Sequence, residues 1–305
     1  MEYVLRTKCL SKQYKNKLAV DGVCMNIEKG EVYGFVGENG SGKTTIIRLI
    51  CALALPTNGS IELFGVDANS VDAQSERRKM GAIVENPAVY LNMSAMDNMK
   101  LQAGILGIKD EQKMRDTLAL VGLSYLEKDK KTAGNFSLGM RQRLGIAMAL
   151  LGEPEFLILD EPMNGLDPAG IVEMRELIQK LNKEKGITFL ISSHILSELS
   201  LVATKYGFIS KGKLLKEVSA EQLNKECTPS IYFEAEDNET LFALLRSLDI
   251  GEVTREGVGV RVYTSLDFNE VLMKVTTQCN IKVVNNAKAG LEEYYLSLMG
   301  GGNNA

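Results

Sequence analysis

Short, almost wholly apolar blocks recur through the first two thirds of the chain. Val32-Tyr33-Gly34-Phe35-Val36, Met80-Gly81-Ala82-Ile83-Val84, Phe156-Leu157-Ile158-Leu159-Asp160 and Ile187-Thr188-Phe189-Leu190-Ile191-Ser192 are such blocks. Being apolar on both faces, they predict strands of a largely parallel sheet covered by helices. Shorter strand signals lie at 3–5, 19–20, 23–27, 61–65 and 206–210. Lys29-Gly30-Glu31 and Lys211-Gly212 read as turns between strands.

Between the blocks the period lengthens to that of a helix. Residues 43–55 follow one apolar block, and Pro56-Thr57-Asn58-Gly59-Ser60 ends them. Residues 94–151 read as mostly helical. Ser94 is an expected cap, Leu101, Ile105 and Ile108 form one stripe, and Met114, Leu118 and Val121 form another. Asp167-Pro168 opens a further helix with a capping acid and a proline at the first position. The pattern changes near residue 225. A linker at 227–230 precedes strand, helix, a strand pair around Gly257, helix, strand and a final helix at 288–298. The tail 300–305 has the composition of a disordered end.

Composition changes this picture little. With 305 residues and 45% hydrophobic content the chain has room for one moderate domain and a smaller one. A net charge of −4 gives no dominant nucleic-acid footprint. No apolar run approaches the roughly 18 residues of a membrane-spanning helix. The five cysteines are scattered and lack metal-ligand spacing, which fits reduced thiols.

The chemistry starts at Gly37-Glu38-Asn39-Gly40-Ser41-Gly42-Lys43-Thr44, a glycine-rich loop between an apolar strand and a helix. Such a loop turns backbone N–H groups and a helix N-terminus onto one anion, and its glycines let the main chain crowd the phosphates. Lys43 suits the β- and γ-phosphates of a nucleotide, and the Thr44 hydroxyl suits Mg²⁺. A Mg²⁺–phosphate site also needs an acid at the end of a neighbouring strand, and Asp160 stands there. Glu161, next in the chain, is placed to orient or deprotonate a water. Ser137 and Gly139 precede a helix expected to start near Met140, which makes a second anion-binding end. His194 follows an apolar strand. Its imidazole either contacts a γ-phosphate or caps the next helix, and the residues alone leave both open.

With these motifs in order, the chain resembles the ATP-binding subunit of an ABC transporter over about residues 1–215. Phe136-Ser137-Leu138-Gly139-Met140 stands where that family usually has Leu-Ser-Gly-Gly-Gln. Phe156 to Pro162 reads FLILDEP, Gly165-Leu166-Asp167 matches the D-loop, and His194 matches the switch histidine. The resemblance implies an α/β fold of the P-loop ABC ATPase type over 1–225, with a helical subdomain at about 86–152. A small C-terminal α+β accessory module follows at 226–299. It implies ATP as substrate with Mg²⁺, and Glu161, His194 and Lys43 in catalysis. It places Tyr14 against adenine and Gly37, Asn39, Gly40, Ser41, Gly42, Lys43, Thr44 and Thr45 around the phosphates. Ser137 and Gly139 cap nucleotide held by a second copy, and Thr44, Glu85 and Asp160 serve the metal. The implied partners are an integral membrane permease and a second copy of the chain in a nucleotide sandwich, with no nucleic acid. The implied location is peripheral, on the cytoplasmic face of the membrane.

Three residues depart from the family pattern. Glu85 replaces the usual glutamine, as in the subgroup that expels peptide antibiotics such as bacitracin and lantibiotics. Leu138 and Met140 replace a glycine and a glutamine of the signature, adding apolar bulk beside a helix start. Val89, Tyr90, Leu91, Met93 and Met96 form an apolar group that either receives the permease or belongs to the core of the helical lobe. The helix at 288–298 resembles the C-terminal helix of many antibiotic-export subunits. The resulting expectation is a motor for export of a peptide antibiotic or similar amphiphile. A motor for another cargo (drug or lipid) and a soluble ABC ATPase are the alternatives. Ribosome-acting relatives resemble two cassettes, whereas one is visible here. DNA-repair relatives need long helices between the phosphate loop and the signature, and the spacing leaves no room for them.

Overall fold

The computed structural model describes residues 2–227, 229–264, 266–287 and 291–300. The chain divides into two compact units, Met1–Ala220 and Glu221–Ala305.

The first unit opens with β1 (Tyr3–Tyr14), β2 (Lys17–Val23), β3 (Asn26–Glu28) and β4 (Val32–Val36). Then come α1 (Lys43–Ile50), β5 (Asn58–Leu63), β6 (Val66–Asp67), α2 (Ala73–Arg77) and β7 (Met80–Ile83). The helical segment holds α3 (Ala95–Leu106), α4 (Glu111–Leu120) and α5 (Leu138–Leu150). The unit continues with β8 (Phe156–Asp160), α6 (Pro168–Lys185), β9 (Thr188–Ser193), α7 (Leu196–Leu199), β10 (Lys205–Ser210) and β11 (Lys213–Ser219). A short helix, α8 (Ala220–Cys227), covers residues for which the sequence pattern predicted no element before the linker.

One six-stranded sheet organises the site, in the order β11-β10-β4-β9-β8-β7. Its inner pairs are parallel, and β11 adds an antiparallel edge. Every residue of β4, β8 and β9 is buried, which is why these strands read as unbroken apolar blocks. The register sets Val36 beside Ser193, and Asp160 beside Ser192. The carboxyl ends of three adjacent strands therefore open onto one crevice, the usual ligand position in parallel sheets.

A second, antiparallel sheet has the order β2-β1-β5-β6, with β3 also on β1. The sequence pattern shortens β1 to three residues because polar side chains from Lys8 onward break its alternation. Pairing with three partner strands carries it on to Tyr14. The first helix is shorter than the predicted 43–55: it ends at Ile50, and Leu53 N–H turns back onto the Arg48 carbonyl.

In the helical segment, Ser94 caps α3 as expected. Its hydroxyl accepts from Asp97 N–H, and Asp97 returns a bond to Ser94 N–H. The predicted stripe on α3 does not form the core: Ile105 is 71% exposed. Ala95, Asn98, Met99 and Ala103 are the buried residues instead. Asn98 is buried despite its polarity because its amide bonds the main chain of Tyr90 and Ser94. The second stripe, Met114, Leu118 and Val121, is buried as predicted.

The second unit contains β12 (Ser230–Ala235), α9 (Asn238–Ser247), β13 (Glu252–Glu256), β14 (Gly259–Tyr263), α10 (Phe268–Thr276), β15 (Ile281–Ala287) and α11 (Leu291–Gly300). Its sheet runs β13-β14-β12-β15, with antiparallel pairs throughout. The order βαββαβ with this sheet is the split βαβ arrangement of ferredoxin-like modules. Ile231, Phe233, Val260 and Val262 meet Leu241, Leu245, Val271 and Val275 in one core. Of the predicted disordered tail 300–305, Gly300 instead ends α11, and 301–305 lie outside the described residues, as do 288–290 of the predicted final helix.

Candidate nucleotide-binding site

The phosphate loop leaves the central strand β4 and enters α1. Its glycines are required by space and by backbone. A Cβ on Gly37 would lie 2.5 Å from the Ile209 carbonyl oxygen, and Gly40 and Gly42 have φ of +80° and +113°. Gly42 is the N-cap of α1 and supplies no side-chain cap, so the first-turn N–H groups lack a protein acceptor of that kind. Ser41 Oγ is buried without a hydrogen-bond partner among the described residues. Uncapped helix donors and an orphaned hydroxyl in a cradle that a Cβ would fill fit a bound phosphate chain.

Lys43 is 5% exposed and turns back over its own loop. Its ammonium donates to the Gly37 carbonyl at 2.6 Å and the Glu38 carbonyl at 3.2 Å, and pairs with Glu161 Oε1 at 3.1 Å. Glu161 Oε2 in turn lies 2.7 Å from His194 Nδ1. The Thr44 hydroxyl donates to Asp160 Oδ2 at 2.9 Å. Thr44 and Asp160 thus share one spot beside the phosphate cradle and are the residues that can hold Mg²⁺. Among the described residues no cluster of three His, Cys, Asp or Glu side chains is placed to hold a metal. A site of one hydroxyl and one carboxylate suits Mg²⁺, which keeps waters and takes substrate phosphate oxygens.

Ser192, which the sequence pattern passes over, ties this group together. Its hydroxyl is buried in β9, donates to Asp160 Oδ1 at 2.5 Å and accepts from Glu161 N–H at 2.9 Å. Glu161 needs such a tether because its backbone is left-handed, with φ +51°. The available signal is a serine that ends an apolar strand next to the acidic one. Ser193 is fixed in the same way by a 2.6 Å bond to Glu198.

The other expected site residues are distributed more loosely. Tyr14, at the end of β1, is 43% exposed, and the Lys12 ammonium lies over its ring 5.0 Å from the centroid. Asn39 is exposed, and Thr45 half-buried, on the loop and the first turn of α1. Ser137 caps α5 by accepting from Met140 N–H at 3.2 Å, so the helix starts at Leu138 rather than at Met140. Ser137 is exposed and Gly139 half-buried, and neither bonds the phosphate loop among the described residues. Leu138 leans on the D-loop: a Cβ on Gly165 would lie 3.1 Å from Leu138 Cδ2. Glu85 does not bond Thr44 or Asp160. Its carboxylate is taken by Arg48 of α1 at 2.6 Å, a partner that the sequence pattern did not indicate.

A groove of about 1090 Å³ runs between the β7 edge and the helical segment. Leu53, Ile105 and Leu106 line it and are exposed. Tyr90 and Leu91 are exposed nearby in sequence, whereas Val89, Met93 and Met96 are half-buried.

A phosphate cradle after the central strand, with a histidine after the adjacent strand β9 and an acid pair at the end of β8 beyond it, defines an ATPase of the phosphate-loop class. Comparisons with known proteins carry this further. A family model described as ABC transporter matches residues 20–164. The bacitracin transport ATP-binding protein BcrA of Bacillus licheniformis is 42% identical over 99% of both chains. The lantibiotic transport ATP-binding protein SrtF of Streptococcus pyogenes is 44% identical over 76% of this chain and 99% of its own. Among solved structures, cbiO1 from Clostridium perfringens, part of an ABC transporter complex, superposes with a TM-score of 0.66. It has 27% identity and covers 74% of this chain and 92% of its own. The chain belongs to the ABC transporter family, as an ATP-binding and ATP-hydrolysing subunit homologous to the bacitracin and lantibiotic transport proteins.

Proposed function

We propose that this subunit powers export of a peptide antibiotic or similar amphiphile through a separate membrane permease. The observation that carries the reading is the 42% identity to a bacitracin transport protein along the whole length of both chains, second unit included. Glu85 in place of glutamine agrees with that subgroup. Among the described residues no helix is long and apolar enough to cross a membrane. The subunit works at the cytoplasmic face, and the groove lined by Leu53, Ile105 and Leu106 receives an apolar helix end of the permease.

Two copies act together. Each holds ATP in its phosphate loop, against the Tyr14 ring, and the Ser137–Gly139 helix end of the other copy closes on the γ-phosphate. Thr44 and Asp160 would hold Mg²⁺, which when bound would offset the phosphate charge, and Glu85 would join them only on leaving Arg48. Lys43 moves from the loop carbonyls to the phosphates. Glu161, freed of that ion pair, accepts a proton from the attacking water, and His194 holds Glu161 and senses the γ-phosphate. Loss of the γ-phosphate removes the bridge between the copies and lets them part.

The test measures growth inhibition by bacitracin and by lantibiotics in strains with and without this gene. Export predicts heightened sensitivity to one of them on deletion, restored by the wild-type gene and not by Glu161→Gln. Unchanged sensitivity to both removes the cargo assignment and favours a drug or lipid. Purified Glu161→Gln protein should bind ATP, stop turning over and accumulate as a dimer.

A further inference from the structure

The opposing main chains do not run in simple register where they pass Cys9 and Cys24. Arg6 faces Asn26, and Leu10 faces Val23. Between these pairs β1 carries Thr7, Lys8 and Cys9, while the opposing stretch carries only Cys24 and Met25. The extra residue is taken up as a bulge, and Cys9 has φ +47°. Thr7 secures the inner side: its N–H donates to the Met25 carbonyl at 2.9 Å and its hydroxyl to the Val23 carbonyl at 3.0 Å. The outer side brings two thiols together. Both cysteines are exposed, their sulfurs lie 3.7 Å apart, and Cys9 N–H donates to Cys24 Sγ at 3.0 Å.

We propose that Cys9 and Cys24 form an oxidisable dithiol that closes to an intramolecular disulfide on reaction with a peroxide. The two sulfurs stand 3.7 Å apart, and a disulfide brings them to about 2.05 Å, so side-chain rotation has under about 2 Å to close. The Cys9 N–H points at the Cys24 sulfur, and this hydrogen bond favours Cys24 as the attacking group. Contact with Cys24, and then its charge, hold the Cys9 thiol above its ordinary range, so Cys9 keeps its proton during the first step.

The Cys24 thiolate attacks one peroxide oxygen and the O–O bond breaks. Cys24 becomes a sulfenic acid, and the departing hydroxide takes up a proton to leave as water. Cys9 sulfur then attacks Cys24 sulfur, the S–S bond forms, and the hydroxyl leaves with the Cys9 proton as a second water. Two thiols are oxidised by two electrons, and the peroxide is reduced to two waters. Cys51 is excluded from this chemistry. Burial, reinforced by the Asp160 charge, pushes its thiol up to about 12.

The experiment exposes the reduced full-length protein to an equimolar amount of hydrogen peroxide, alkylates the remaining thiols and digests with trypsin. Cleavage after Lys8, Lys12, Lys17 and Lys29 releases Cys9–Lys12 and Leu18–Lys29. The expected product is these two peptides joined, separated again by dithiothreitol, from protein that still runs as a single chain without reductant. Cys9→Ser should leave Cys24 as a sulfenic acid that a second equivalent of peroxide carries to sulfinic acid, and Cys24→Ser should leave Cys9 reduced. Alkylation of both Cys9 and Cys24 after peroxide treatment would overturn the proposal. So would a link between two chains, or sulfinic acid at Cys24 of the wild type at the rate of the Cys9→Ser variant.

Discussion

Replacing Ser192 by alanine removes a single oxygen from the point where β8 and β9 end side by side. That oxygen serves two neighbours, Asp160 Oδ1 at 2.5 Å and Glu161 N–H at 2.9 Å. Asp160 is 3% exposed, so water cannot readily replace the lost donor. A hydrogen bond to an ionised partner contributes about 1.5–3 kcal/mol, and an ordinary one about 1 kcal/mol. The variant should therefore lose about 2.5–4 kcal/mol of first-unit stability. The functional loss follows from the backbone. Glu161 sits at φ +51° and is tethered there by Ser192. Such a conformation costs on the order of 1–3 kcal/mol and persists only while its surroundings impose it. With the tether gone the peptide relaxes, and the carboxylate drifts from Lys43 and His194. A misplacement costing about 1.4 kcal/mol at the barrier lowers kcat about tenfold, while KM for ATP barely moves because the phosphate loop is untouched. Urea titration, reading the transition that ATP shifts, measures stability, and steady-state ATPase assays separate kcat from KM. A stability loss under about 0.5 kcal/mol would refute the hydrogen-bond argument. A large loss with unchanged kcat would refute the link between Ser192 and the position of Glu161.

Other substitutions test the fold around the site. Gly207→Ala would put a Cβ 2.1 Å from the Tyr33 hydroxyl, which is fully buried and donates to Glu217 at 2.8 Å. It should cost about 3 kcal/mol by thermal unfolding, and adding Tyr33→Phe should recover part of the loss. Leu118→Ala in α4 should cost about 2–5 kcal/mol, whereas Ile105→Ala on α3 should change stability by less than about 0.5 kcal/mol. Equal effects in urea titrations would contradict the assignment of the helical core. Glu31 is half-buried, and that burial raises its pKa in the folded state. The folded chain then binds the proton more tightly than the unfolded chain, so stability falls as pH rises from about 4.5 through the raised value. Glu31→Gln should raise the melting temperature at neutral pH and not at about pH 4; the opposite order would show the sign to be wrong.

Local pattern was enough wherever an element is buried on both faces or bounded by a strong stop signal. The blocks that became β4, β8 and β9 were legible because each is apolar throughout, and Ser94 and Asp167-Pro168 marked helix starts by their own capping chemistry. The phosphate loop, Asp160 and Glu161 were legible because phosphate binding demands particular residues at short, contiguous spacing. Long-range pairing was not legible. β1 continues past its polar residues because three strands supply its hydrogen bonds, and α3 buries Asn98 because the loop ahead of it needs those amide bonds. The split βαβ order of the second unit depends on strand neighbours that no local pattern names. The same holds for the tether of Ser192, the capture of Glu85 by Arg48 and the meeting of Cys9 with Cys24. Each joins residues far apart in the chain at distances of a few ångströms. Periodicity and capping act within a few residues, so the chain alone marked its doubly buried strands, its capped helix starts and its phosphate loop, but not the full extent of β1 or the existence of α8. Register between strands sets which distant side chains meet, and only the folded structure decided that.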